Sequence, residues 1–64
     1  MQQIEVQELF AGLTSQFEDA AALAAEGQHP GLTPEVAVRL LIDIRGIFDG
    51  AARDMARIEW RLKA

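Results

Sequence analysis

The stretch Gly27-Gln28-His29-Pro30-Gly31-Leu32-Thr33-Pro34-Glu35 divides the chain into two helix-forming segments. Gly27 follows the last periodic apolar residues of the first segment, and we expect it to close that helix in the left-handed conformation. Thr33-Pro34-Glu35 is typical of a helix start, because the hydroxyl caps, proline needs no N–H partner and the acid lies in the first turn. The stretch therefore predicts a turn between two helices.

Apolar residues on both sides of this turn recur in steps of four and three. Such spacing places side chains along one stripe of a helix, whereas a strand requires alternation by two. The sequence therefore predicts an all-α chain, one antiparallel helical-hairpin domain over 1–64, with a helix at about 3–26, a turn at 27–33 and a helix at about 34–62. The residues expected to form the core or a dimer interface are Val6, Phe10, Leu13, Phe17, Leu41, Ile44, Phe48, Met55, Ile58 and Leu62.

The composition favours pairing of two such hairpins. A chain of 64 residues without cysteine has neither a disulfide nor a thiolate zinc site to reinforce a small core. Between Val36 and Phe48 the second segment is apolar on nearly all sides, and such a helix needs neighbours on more than one side. We therefore expect the protein to be its own partner, as a homodimer that forms a four-helix bundle.

The second predicted helix is longer than the first. Its C-terminal overhang, which contains Ile58, Trp60 and Leu62, is expected to have no cover within the hairpin. Gly46 and Gly50 also lie inside this helix, where each costs roughly 1 kcal/mol relative to alanine. Three interpretations remain open for these glycines: tolerated exposed positions, a close approach of two helices, or a kink that splits the second helix.

The charges divide at the same turn. Every lysine and arginine lies beyond residue 38, whereas residues 1–32 carry five acids and no base. These acids define a candidate acidic face: Glu5, Glu8, Glu18, Asp19 and Glu26. Such a face is either an ordinary solvated surface or a surface complementary to a basic groove on another protein. The formal net charge of −4 opposes attraction to phosphate backbones, so direct binding of nucleic acid is not expected.

A second candidate surface lies near the C-terminus, where arginines recur every four residues beside the single tryptophan. It consists of Arg53, Arg57, Arg61 and Trp60. In one interpretation the arginines complement the helix dipole and form ion pairs with Glu5 and Glu8 across the hairpin. In the other, the patch faces a partner or the other subunit, since tryptophan and arginine are enriched at binding hot spots.

No residue is predicted to act in catalysis or to bind a metal or a cofactor. His29 is the only histidine, and no cysteine accompanies it as a ligand. The hydroxyls of Thr14, Ser15 and Thr33 have no neighbouring histidine to act as a base. Glu18 and Asp19 are consecutive, so on a helix they point away from each other and do not converge on one substrate. We therefore do not expect an enzyme.

The sequence predicts a small non-catalytic protein-interaction or regulatory module that acts as a homodimer. It shows no signal peptide and no membrane-spanning segment, so a cytoplasmic location without membrane contact is expected. One alternative is an acidic, phage-type inhibitor that occupies a basic groove of a nucleic-acid-binding protein complex. A second is an RNA-binding hairpin dimer, which plasmid RNA regulators resemble in general size and architecture. The lack of any cation in the first helix opposes that second alternative.

Overall fold

The structure, a computed structural model, describes residues 4–63. It consists of two α-helices packed against each other, α1 (Ile4–Glu26) and α2 (Pro34–Lys63). The predicted all-α hairpin is therefore confirmed. The observed helix ends agree with the predicted ends to within one residue, whereas the predicted start near residue 3 lies outside the described residues. Neither described helix combines the length and the apolar character needed to cross a membrane.

The two helices run antiparallel in a register fixed at three levels. Glu5 forms an ion pair with Arg61 near the open end of the hairpin. Halfway along, a Cβ atom on Gly50 would lie 3.5 Å from the amide nitrogen of Gln16. At the turn, a Cβ atom on Gly27 would lie 3.8 Å from Cδ1 of Leu40. The chain direction and the residue pairing are therefore defined along the whole of α1.

The extra length of α2 lies beside the turn and not at the C-terminus. Because the end of α1 contacts Leu40, residues 34–39 extend past α1 and run alongside the connection. At the opposite end Ile58 is only 5% exposed, since side chains from the start of α1 pack against its cluster. The prediction that Ile58 belongs to an uncovered overhang is therefore wrong. Trp60 and Leu62 are exposed in the hairpin.

The helix ends facing the turn differ in how well the sequence predicts them. The Thr33 cap is confirmed, because Oγ1 of Thr33 accepts the N–H of Val36 at 3.3 Å. The left-handed conformation predicted for Gly27 is wrong, since no glycine within residues 4–63 has a positive φ. Instead the N–H of Gly27 donates to the carbonyl of Ala24 at 3.1 Å, and the next two N–H groups continue with the same three-residue spacing. The helix thus ends by tightening into a 3₁₀-type turn, which satisfies its last carbonyls without left-handed backbone.

The two glycines of α2 have different surroundings, and neither breaks the helix, which is continuous from Pro34 to Lys63. Gly50 is half-buried and faces Gln16 of α1, in agreement with a close approach of the helices. Gly46 is exposed, and a Cβ atom added there would meet nothing within 4 Å. Of the three interpretations, the kink is excluded and each of the other two describes one glycine.

The core of the hairpin is thin. Among the described residues only Leu13, Ala20, Ala51 and Ile58 are buried, and two of these are alanines. The radius of gyration is 15.1 Å, whereas a globular chain of this length would have a value of about 11 Å. The accessible surface is 5055 Å², compared with about 4,000 Å² for a globular monomer of this mass. The chain is thus an elongated single layer that exposes much more surface than a packed domain.

Candidate interaction surfaces

The predicted apolar stripe is divided between two sides of the hairpin. Four of its members lie between the helices, with Leu13 and Ile58 buried and Val6 and Ile44 half-buried. The other six are exposed, and we call them the apolar face: Phe10, Phe17, Leu41, Phe48, Met55 and Leu62. The stripe therefore supplies both the helix–helix contact and a surface that nothing in the hairpin covers.

The rings of Phe17 and Phe48 show that the exposed residues of the two helices share one side. Their centroids are 6.4 Å apart and their planes are tilted by 51°, an arrangement common for aromatic pairs. Phe10 precedes Phe17 by seven residues, and Leu41 and Met55 flank Phe48 by seven on either side. Because seven residues make nearly two helical turns, these side chains point in almost the same direction. The apolar face is therefore continuous across both helices.

The apolar face is large for so small a protein. From Leu41 to Leu62 it extends about 32 Å along α2 at 1.5 Å per residue. With roughly half of each side chain exposed, its six residues present on the order of 600 Å² of apolar surface. Soluble monomers rarely expose a contiguous apolar patch of that size. It is the principal candidate for an interface.

The side opposite the apolar face carries a shallow open groove. Asp19 and Gly46 lie two residues from Phe17 and Phe48 respectively, so they point away from the apolar face. Carboxylates of both helices line this groove together with apolar side chains. Its lining consists of Gln16, Asp19, Ala22, Leu23, Glu26, Ile42, Asp43, Gly46, Ile47 and Gly50. Three acids and no base therefore border an apolar floor.

The five acids of the predicted acidic face are all exposed, but they do not form one patch. Glu5 pairs with Arg61, and Glu8 lies with both of them around a pocket near the open end of the hairpin. Asp19 and Glu26 line the groove nearer the turn. Glu18 lines neither of these cavities. The acidic character is therefore neutralised at the open end and retained near the turn.

The predicted arginine patch is partly engaged within the fold. Arg61 pairs with Glu5, as one of the two interpretations expects, and the guanidinium of Arg57 lies 3.4 Å from the carboxylate of Asp54. Arg53 is exposed, and Trp60 is 74% exposed, the largest fraction among the large apolar side chains of residues 4–63. An exposed indole beside arginines that serve the fold is compatible with both interpretations, so the partner-facing role of the patch stays a prediction.

A polar contact crosses the helix interface, and the sequence reasoning missed it. Nε2 of Gln16 donates to Oδ2 of Asp54 at 3.1 Å, while Oε1 of Gln16 is buried without a partner. The signal was in the spacing, because Gln16 occupies the same seven-residue row as Leu9 and Leu23. When each of two facing helices has a polar residue at the same level of their interface, the two residues are expected to form a buried polar pair. Such a pair fixes the register of the helices.

His29 has a role within the turn. It is exposed, and its Nδ1 accepts the N–H of Gly31 at 3.0 Å, so the ring holds the turn in shape. Among the described residues no three histidine or acidic side chains are grouped closely enough to hold a metal ion.

Comparisons with known proteins do not add to this picture. No protein-family model matches the chain, and searches of curated proteins and of solved structures find no match either.

Proposed function

We propose that this protein is a small non-catalytic interaction module that acts as a homodimer, with the apolar face buried between two hairpins. The observation that carries the proposal is the imbalance between the four buried residues of the hairpin, two of which are alanines, and the six large exposed residues of the apolar face. A hairpin with so thin a core gains most of its stabilising burial from whatever covers its exposed side.

The size of the apolar face fits a second copy of the chain. Its six residues supply on the order of 600 Å² per hairpin, and the flanking alanines enlarge this toward the roughly 800 Å² per partner of a stable interface. Two hairpins placed face to face also form a four-helix bundle, in which each helix has neighbours on two sides. That arrangement supplies the cover that the apolar surface of α2 requires.

Dimerisation leaves the opposite side free for a protein partner. The acid-lined groove and the patch around Trp60 both lie off the apolar face, so a dimer presents two copies of each surface. Two copies raise the avidity of binding without any new contact. The proposed role is therefore regulatory, in the cytoplasm, through a bound protein and without a chemical reaction.

Sedimentation at micromolar concentration tests the dimer, with an expected mass of twice the 7.0 kDa chain. Phe48→Asp places a carboxylate in the proposed interface and should dissociate or unfold the protein, because burying an unpaired charge costs several kcal/mol. Ile42→Asp is the matched control: Ile42 is 64% and Phe48 52% exposed in the hairpin, but Ile42 lines the opposite groove. A folded wild-type monomer, or equal behaviour of the two variants, would contradict the proposal.

A second candidate function is the acidic inhibitor, and the groove favours it. Asp19, Glu26 and Asp43 border the apolar floor, and no basic residue lines it. A basic segment of a nucleic-acid-binding protein would find complementary charge there, which speeds association and selects the partner. Capture of binding proteins from the host, with and without Asp19→Asn, Glu26→Gln and Asp43→Asn combined, tests this function. Retention of a captured nucleic-acid-binding protein by the neutralised variant would exclude the groove as its site.

A further inference from the structure

We propose that the two copies pack with α2 against α2 and α1 against α1. A two-fold axis relates the two copies; it runs perpendicular to the helices, at the level of Thr14 and Ala52. This inference rests on the proposed homodimer and assigns its arrangement. It comes from charged and small residues that accompany the apolar face and that neither helix uses within the hairpin.

Two opposite charges lie on the apolar face of α2. Arg45 follows Leu41 by four residues and precedes Phe48 by three, and Glu59 stands in the same relation to Met55 and Leu62. Helical neighbours at these spacings share a face. Both charged side chains are exposed, and no ion pair within residues 4–63 involves either one. The face that must be buried thus carries one cation and one anion without partners in the hairpin.

The positions of these charges define a centre. Arg45 and Glu59 each lie seven residues from Ala52, one on either side. When a second α2 packs antiparallel about Ala52, Arg45 of each copy faces Glu59 of the other. The dimer therefore contains two Arg45–Glu59 pairs. The same operation brings Phe48 of one copy beside Met55 of the other. The small side chain of Ala52 at the crossing lets the helices approach closely.

The first helix has its own centre at the same level. In the hairpin a Cβ atom on Gly12 would lie 3.9 Å from Oδ2 of Asp54, and one on Gly50 would lie 3.5 Å from Nε2 of Gln16. These two contacts bracket the level of Thr14 and place it across from Ala52. About Thr14, Phe10 of one copy lies beside Phe17 of the other. Both helices therefore become self-complementary about one axis.

In the other face-to-face arrangement, neither charge has an oppositely charged residue directly opposite it. If the axis ran along the length of the hairpins, α2 of one copy would pack on α1 of the other at the same level. Arg45 would then face Ala21, and Glu59 would face Gln7, by the hairpin register. Neither neighbour carries a charge. Electrostatic complementarity therefore selects the arrangement with like helices together.

Charge reversal tests the pairing between copies. Arg45→Glu alone and Glu59→Arg alone should each raise the dimer dissociation constant about tenfold, because attraction at two sites becomes repulsion. An equimolar mixture of the two variants should form heterodimers with a dissociation constant within about threefold of the wild-type value. Within one chain the two positions are about 21 Å apart, so recovery must arise between chains. A mixture that associates no better than either variant alone would overturn the arrangement.

Cysteine crosslinking separates the arrangement from the dimer itself. The chain has no cysteine, so Ala52→Cys introduces the only thiol, and near a two-fold axis it should form a disulfide-linked dimer. Ala22→Cys, which lines the opposite groove, is the control and should stay unlinked. Crosslinking only in a mixture of Ala52→Cys with Thr14→Cys would overturn the arrangement and leave the homodimer intact. A wild-type monomer in sedimentation at micromolar concentration would overturn both.

Discussion

The two sides of the apolar stripe differ in the size of their side chains. Between the helices the buried positions include Ala20 and Ala51, and Gly50 also faces α1. Three residues before each of these alanines, the apolar face has Phe17 and Phe48. Small residues bring the helix axes together, and the large rings lie at the edge of the contact, where they pair with each other and stay about half exposed. Much of the apolar volume of the stripe therefore stays exposed in the single hairpin.

If the apolar face is an interface between two copies, as we propose, folding and association are coupled. A monomeric hairpin would keep a core of four buried residues and would expose its largest apolar groups to water. Small proteins of this kind reach useful stability through oligomerisation or another reinforcement.

Phe48→Ala should destabilise the protein about as much as a truncation in a core, by ~3–5 kcal/mol, although Phe48 is exposed in the hairpin. The reason is that the ring is buried once two hairpins pair. Ile42→Ala, on the opposite side, should change the free energy of unfolding by less than ~0.5 kcal/mol. Urea unfolding of both variants at one protein concentration measures this contrast, and equal effects would show that the apolar face stays in water.

Trp60→Ala tests whether an exposed aromatic residue off the apolar face has a binding role. We expect unchanged helix content and a loss of ~2 kcal/mol in self-association or partner binding, because an indole buried in an interface contributes about that much. The indole fluorescence should be blue-shifted in the assembled state. Circular dichroism and titration of the captured partner measure the two effects. If the variant behaves as the wild type and the indole emission is that of a free indole in every state, Trp60 has no binding role.

The sequence predicts the local features of this fold better than the orientation of its helices. The Thr33 cap and Pro34 act within one helical turn, so the start of α2 follows from neighbouring residues alone. The conformation of Gly27 was predicted incorrectly because a helix can end by tightening as well as by a left-handed residue. Both signals were local, but Thr33-Pro34 is compatible with one conformation, whereas a glycine after a helix is compatible with more than one.

The division of the stripe is a property of the pair of helices and not of either one. Periodicity identifies the stripe, but the rotation of each helix about its axis depends on which residues allow the closest approach. The covering of Ile58 was mispredicted for a similar reason, since comparing helix lengths does not say which ends are aligned. The Gln16–Asp54 contact fixes that alignment, and it becomes apparent only when both helices are placed side by side.

Gly46→Ala should stabilise the protein by up to ~1 kcal/mol, because alanine is the better helix former and the added methyl group meets nothing within 4 Å. Gly50→Ala is the comparison, since its methyl group would approach the Gln16 amide to 3.5 Å in the helix contact. We expect a smaller gain there. Thermal unfolding of the two variants shows whether the two sides of α2 tolerate a methyl group differently, and a loss of stability at Gly46 would contradict its open surroundings.

The smallest expected effect is the absence of binding to generic duplex DNA or RNA at physiological salt. The net charge of −4 and the two ion pairs that engage Arg57 and Arg61 leave little attraction for phosphate groups. Fluorescence anisotropy with labelled duplexes measures this. Submicromolar binding that weakens steeply with added salt would support the RNA-binding alternative and would indicate that the arginines bind the nucleic acid.

The dependence of unfolding on protein concentration tests whether the apolar face is an interface between two copies of the chain. If the apolar face is buried between two copies, the urea midpoint of the wild-type protein should rise with total concentration, because unfolding then releases two chains. The native species should have twice the 7.0 kDa chain mass over the same range. A midpoint independent of concentration, with a folded species of 7.0 kDa, would contradict the account.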